Sequence, residues 1–164
     1  MKALLRSLSR RTAEAAIILS AAGLVGMTLA VAWQVFGRYV LNDSPTWTEP
    51  LSIQLMGWFI LLGSAVGVRD NYHLGFDVLR DVSPPTIARI MAFISMAAVL
   101  GFGIAMAIYG LQLVIGTWTA TLPVLGWPGG IDFLPLVFGG VLLAFFSIEQ
   151  LWLILADETI EDAR

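Results

Sequence analysis

Four long apolar runs divide the chain. They extend from Ala13 to Val35, from Leu51 to Val68, from Thr86 to Gly116 and from Phe133 to about Ala156, and the charges inside them are confined to Glu14, Arg89 and Glu149. Apolar on every side and long enough at ~1.5 Å per residue to cross a ~30 Å hydrocarbon core, runs of this kind predict membrane-spanning helices. The expected fold is an all-α integral membrane protein of four transmembrane helices, approximately 13–36, 50–68, 86–116 and 133–156, in one membrane domain covering 1–164. The first run exceeds the ~7–15 residues of a signal-peptide core and is expected to remain as a span. The third exceeds the ~20 residues needed to cross, so it should tilt or project. Gly63 and Gly67 in the second span, and Gly103, Ala107 and Gly110 in the third, are small residues at helical spacing that favour close packing.

Polar positions collect between the runs. Residues 1–12 hold Lys2, Arg6, Arg10 and Arg11 without an acid, with Leu4, Leu5 and Leu8 between them, and read as a basic amphipathic lead-in lying on the membrane. The turn from Trp33 to Glu49 is bracketed by Trp33, Tyr39 and Trp47, aromatic rings that favour the headgroup level. In it Gln34 and Arg38 are spaced to share a helix face, Arg38 can pair with Asp43 or Glu49, and Glu49 suits the positive end of the second helix. Residues 69–85 repeat His73, Asp77 and Asp81 every four positions beside Leu74, Val78 and Val82, which predicts a short amphipathic interfacial helix ended by Pro84 and Pro85. His73 there is expected to be a structural histidine bonded to Asp77 rather than a metal ligand, for want of other ligands. The segment 117–132 has no lysine or arginine and contains Trp118, Trp127 and the run Pro128-Gly129-Gly130, which reads as an ordered aromatic loop.

Charge distribution orients the bundle. Of nine basic residues only Arg38 lies on the side of the Trp33–Glu49 turn, so the positive-inside rule places both termini in the cytoplasm and the two aromatic connectors together outside. Composition agrees with a membrane protein: 58% hydrophobic, 13% charged, mean hydropathy +0.83. The chain has no cysteine and a single histidine, which removes disulfides, thiolate chemistry and a bis-histidine haem. No catalytic triad, phosphate-cradling loop or metal motif is present, so no enzyme activity, cofactor or nucleic-acid partner is expected. Glu149 lies within a span, about 10 Å before its end by helix rise; it is expected to pair with Arg69 or Arg89, or to meet a partner, ahead of carrying ions.

The series Gln34-Val35-Phe36-Gly37-Arg38-Tyr39, then Trp47-Thr48-Glu49, then Arg69 and His73-Leu74-Gly75-Phe76-Asp77-Val78-Leu79 resembles the small membrane subunit of tripartite ATP-independent periplasmic (TRAP) transporters, the DctQ-like family. The resemblance implies a multi-pass protein of the bacterial inner membrane, partnered by a large permease subunit and a periplasmic substrate-binding protein. Such a complex imports a small organic anion with sodium and without ATP, the small subunit serving as scaffold. It further implies that Arg38 and Glu49 join the first two spans at the outer surface, and that Trp47 and the 118–130 loop face the large subunit or the binding protein. The sequence departs from the family where Pro50 replaces a second acid and where Ile53 and Gln54 occupy positions that are often basic. The competing class is a self-contained homodimeric four-span exporter with Glu149 as its coupling carboxylate.

Overall fold

The computed structural model describes residues 2–70 and 84–156. Each apolar run becomes a helix: α1 (Lys2–Phe36), α2 (Thr48–Arg69), α3 (Pro85–Thr117) and α4 (Leu134–Ala156). All four are long and apolar enough to cross a membrane. The interfacial helix expected around His73, Asp77 and Asp81 lies outside the described residues.

The basic lead-in does not form a separate element on the surface. It is the first part of α1, unbroken over 35 residues, or about 50 Å at the rise of an α-helix. Ser9 of the lead-in is buried on the same side as Ala13, Ala16 and Ser20 of the span and is bonded to Arg69 and Glu149, which keeps this part of the lead-in against the bundle.

The helices pack in the order α1–α2–α4–α3, so that α1 and α3 form the two edges and α2 and α4 the middle. Leu62, Ala65, Val66, Met106, Leu143 and Phe146 fill the core, with Phe146 fully buried. Lipid tails are as apolar as these side chains, so close van der Waals fit must hold the array together. Two adjacent glycines of α4 supply it on both sides. A Cβ on Gly139 would stand 2.7 Å from the Leu61 Cβ of α2, and one on Gly140 would stand 2.7 Å from the Ala107 nitrogen and 2.8 Å from the Gly103 oxygen of α3. The Gly103, Ala107 and Gly110 stripe thus faces α4. Of the second-span pair, Gly63 faces the Ser20 hydroxyl of α1, whereas Gly67 faces open space.

At the far end of α1 the helix widens into a π-helical turn, Gly37–Leu41, closed by Asn42 in the left-handed conformation. The Gly37 carbonyl accepts the amides of both Asn42 and Asp43. The returning chain lies directly on Gly37, where a Cβ would meet Asp43 O at 2.8 Å and Pro45 Cδ at 2.9 Å. The connector between α3 and α4 is folded as well: Leu122 donates to the Trp127 carbonyl at 2.8 Å and Gly129 to that of Ala120, and a 3-10 turn, Gly129–Phe133, leads into α4.

Candidate functional site

Two polar regions occupy opposite ends of the bundle. At the first end the hydroxyl of Ser9, almost fully buried on α1, donates to Glu149 Oε2 of α4 and accepts from Arg69 Nε of α2 at 3.0 Å. One small side chain therefore bridges a cation and an anion contributed by two other helices. Arg69 Nη1 also donates to Asp70 Oδ1 at 3.0 Å, and the buried Gln150 amide donates to the Arg69 carbonyl. The expected pairing of Glu149 with an arginine is thus indirect, running through a serine. Arg89, at the start of α3, donates from Nη2 to the Leu155 carbonyl of α4 at 3.2 Å.

The opposite end carries the aromatic connectors. Trp33, Tyr39, Trp47, Trp118 and Trp127 are all exposed, and Trp33 packs against Phe36 with ring centroids 5.8 Å apart. The Trp118 ring edge closes over Gly130. Gln54 ties α2 to the second connector: its amide is buried and donates to the Ile131 carbonyl of the 3-10 turn at 3.0 Å. Thr48, fully buried, fixes the entry to α2 by donating to the Pro45 carbonyl at 2.7 Å, and Ser52 donates to Thr48 O.

The structure corrects the expected join between Arg38 and Glu49. Both are exposed, and among the described residues Arg38 makes no ion pair with Glu49 or with Asp43. Gly37 faces the returning chain, in close contact with the Asp43 carbonyl and the Pro45 ring. An exposed pair would contribute only ~0–1 kcal/mol, too little to redirect that turn. Gln34 is half-buried on α1 one turn before Arg38. His73 and Asp77 lie outside the described residues.

Among the described residues no group of three acidic or histidine side chains converges on a point. Of the buried polar side chains among the described residues, those of Ser9, Ser20, Thr48, Ser52, Gln54 and Gln150 are bonded within the chain, and the Ser147 hydroxyl on α4 is the buried exception. Sequence reasoning did not single out Ser9. Its signal was its place in the small-residue series Ser9, Ala13, Ala16 and Ser20, which repeats every three to four positions.

Comparison with known proteins adds the following. Residues 27–157 match the family model described as tripartite ATP-independent periplasmic transporters, DctQ component. A C4-dicarboxylate TRAP transporter small permease protein, DctQ, of Vibrio cholerae is 32% identical over 92 residues, covering 56% of this chain and 37% of that protein. The protein of the same name from Pseudomonas aeruginosa is 38% identical over 66 residues, covering 40% of this chain and 31% of that relative. A sialic acid TRAP transporter small permease protein, SiaQ, of Vibrio cholerae is 28% identical over 132 residues, 79% of this chain and 75% of the relative. The chain spans about a third of the length of the two C4-dicarboxylate relatives it matches.

Proposed function

The chain belongs to the DctQ component family of tripartite ATP-independent periplasmic transporters, and from that premise we propose that it is the scaffold subunit of an importer whose substrate path lies in a separate large permease. It is a multi-pass protein of the bacterial inner membrane, and its family consists of transport components, not enzymes.

The observation that carries the scaffold reading is where the polar groups lie. A solute path needs polar side chains or broken helices near the middle of several spans. The bonded polar clusters here sit towards the two ends of the bundle, and between them Leu62, Met106, Leu143 and Phe146 are packed, with the buried Ser20 hydroxyl spent on the Phe59 carbonyl. The charge distribution supports an orientation with the Ser9–Arg69–Glu149 end in the cytoplasm and the aromatic end in the periplasm. In this reading a periplasmic binding protein delivers a small organic anion and sodium drives its import. The relatives named for C4-dicarboxylates and for sialic acid support an anionic substrate. The homodimeric exporter finds less support, because its one candidate carboxylate, Glu149, is already engaged by Ser9 at the end of the bundle.

Arg38 and Glu49, which make no ion pair among the described residues, are proposed contacts to the large permease, together with Trp47 and the 118–130 loop. The test is a tagged pull-down from mildly solubilised membranes, with the permease quantified by mass spectrometry. Wild-type chain should retain it stoichiometrically, and Arg38→Glu and Glu49→Lys should each reduce retention several-fold while leaving the chain monodisperse. Recovery of the chain alone, as a stable homodimer, would overturn the scaffold reading. Rescue by the double reversal would show instead that the two residues pair with each other.

A further inference from the structure

Independently of the transporter reading, the outward edge of α1 has a pattern that fits one kind of small partner. At ~100° per residue, Ser9, Ala13, Ala16, Ser20 and Gly23 share the buried face of this helix, whereas Ser7, Arg11, Glu14, Ile18 and Val25 fall on the face directly opposite. The second set is exposed throughout, Ile18 at 67% and Val25 at 58%. Its polar end opens as a cleft of about 270 Å³ lined by Ser7, Arg10, Arg11 and Glu14. Arg10 Nε is held by Glu14 Oε1 at 2.8 Å, while the exposed Arg11 has no ion pair or side-chain hydrogen bond among the described residues. The cleft itself therefore offers one uncompensated positive charge beside a hydroxyl. From Arg11 to Val25 the helix rises about 21 Å, and along that line the exposed side chains change from charged to apolar.

We propose that this edge binds a single anionic phospholipid, its phosphate between Arg11 and Ser7 and one acyl chain along Ile18 and Val25. A phosphodiester carries one negative charge and suits the single free guanidinium. Lys2, Arg6, Arg10 and Arg11 against Glu14 leave a surplus of three positive charges in the first fourteen residues (4 − 1 = 3), which disfavours a headgroup bearing its own cation. The sequence of charge and then exposed aliphatic surface along one line matches a lipid, whereas an acidic protein surface would require no such order.

The full chain, purified in mild detergent, would be titrated with phosphatidylglycerol and with phosphatidylcholine of the same acyl chains, and bound lipid counted by native mass spectrometry. Phosphatidylglycerol should be retained about fivefold better, the effect of one cation near an anionic headgroup. Arg11→Gln should remove that preference, Arg38→Gln at the opposite end of the helix should not, and glycerol phosphate lacking chains should not displace the lipid. Equal retention of the two lipids, an unchanged preference in Arg11→Gln, or displacement by glycerol phosphate would each overturn the proposal. It would also fall if Arg11→Gln released the large permease while the isolated chain kept its lipid preference, since the cleft would then be a protein contact.

Discussion

Replacing Gly140 by alanine tests whether backbone approach between α3 and α4 holds the bundle together. The new Cβ would lie 2.7 Å from Ala107 N, 2.8 Å from Gly103 O and 2.9 Å from Met106 Cβ. Two of these three atoms are main chain and have no rotamer to adopt, so the helices themselves must part. Restoring ordinary contact at 3.4 Å requires about 0.7 Å (3.4 − 2.7), a gap that forfeits roughly a quarter to a half of each affected dispersion contact. Overpacking of this kind costs ~1–3 kcal/mol, and the upper part of that range is expected where backbone meets backbone. Gly101 on α3 is the internal control, because a Cβ there meets nothing within 4 Å; Gly101→Ala should gain up to ~1 kcal/mol of helix propensity. The assay is the fraction of chain that stays monodisperse in detergent after heating, with the two variants compared in one buffer. Gly140→Ala should lose half its monodisperse fraction several degrees below the wild type and Gly101→Ala at or above it. Gly103→Ala, blocked by the same seam at 2.9 Å from Ala144 N, should add little to Gly140→Ala, because one separation relieves both clashes. Coincident curves for Gly140→Ala and Gly101→Ala would refute the reasoning.

Further outcomes follow from the polar contacts at either end. Ser9→Ala removes the hydroxyl shared by Arg69 and Glu149 and should cost ~1–3 kcal/mol in the same heating assay, whereas Glu149→Gln, whose amide oxygen can still accept from Ser9, should cost less; equal losses would argue against the bridge. Gln54→Leu removes the side-chain tie from α2 to the Ile131 carbonyl, which keeps the Leu134 amide, and should speed protease cleavage within the 118–130 loop; an unchanged cleavage rate would mean that the loop is held by other contacts.

The four helices were legible because a bilayer demands a long apolar run and little else can produce one. The length of α1 was not, since a basic stretch with leucines at helical spacing suits a surface helix and the extension of a span equally well. What decides between them is the burial of Ser9 and Ala13 against distant helices, which is information that only the assembled fold contains. Hydropathy was equally silent on the order of packing. That order is written in Gly139 and Gly140, adjacent residues that face opposite neighbours, and a pair of glycines in a span carries no address for its partners. Arg69 and Glu149 stood out in the sequence as charges near span ends, but the serine between them did not, because a hydroxyl flanked by leucine and arginine has no distinguishing pattern of its own. Opposite charge across the turn and the family resemblance suggested that Arg38 and Glu49 join, yet neither foretells the π-helical turn that brings Gly37 to the contact instead.

The serial order α1–α2–α4–α3 also bears on how the chain is made. Each edge helix packs chiefly against its neighbour in sequence, α1 on α2 and α3 on α4, so two hairpins can settle one after the other as they leave the ribosome. Each hairpin covers part of its own small-residue surface, Gly63 against Ser20 and Gly103 against Gly140, whereas Gly57, Gly139 and the Ser9 hydroxyl wait for the other half. The two halves then meet along α2 and α4, at the Leu61–Gly139 and Gly57–Pro135 contacts, the Trp58–Phe138 rings and the bonds from Gln54 to Ile131, from Gln150 to Arg69 and from Ser9 to Glu149. Biogenesis on this plan ends in a single lateral docking of two preformed units, and a nascent chain arrested after α2 would already hold the packing of α1 on α2 in place.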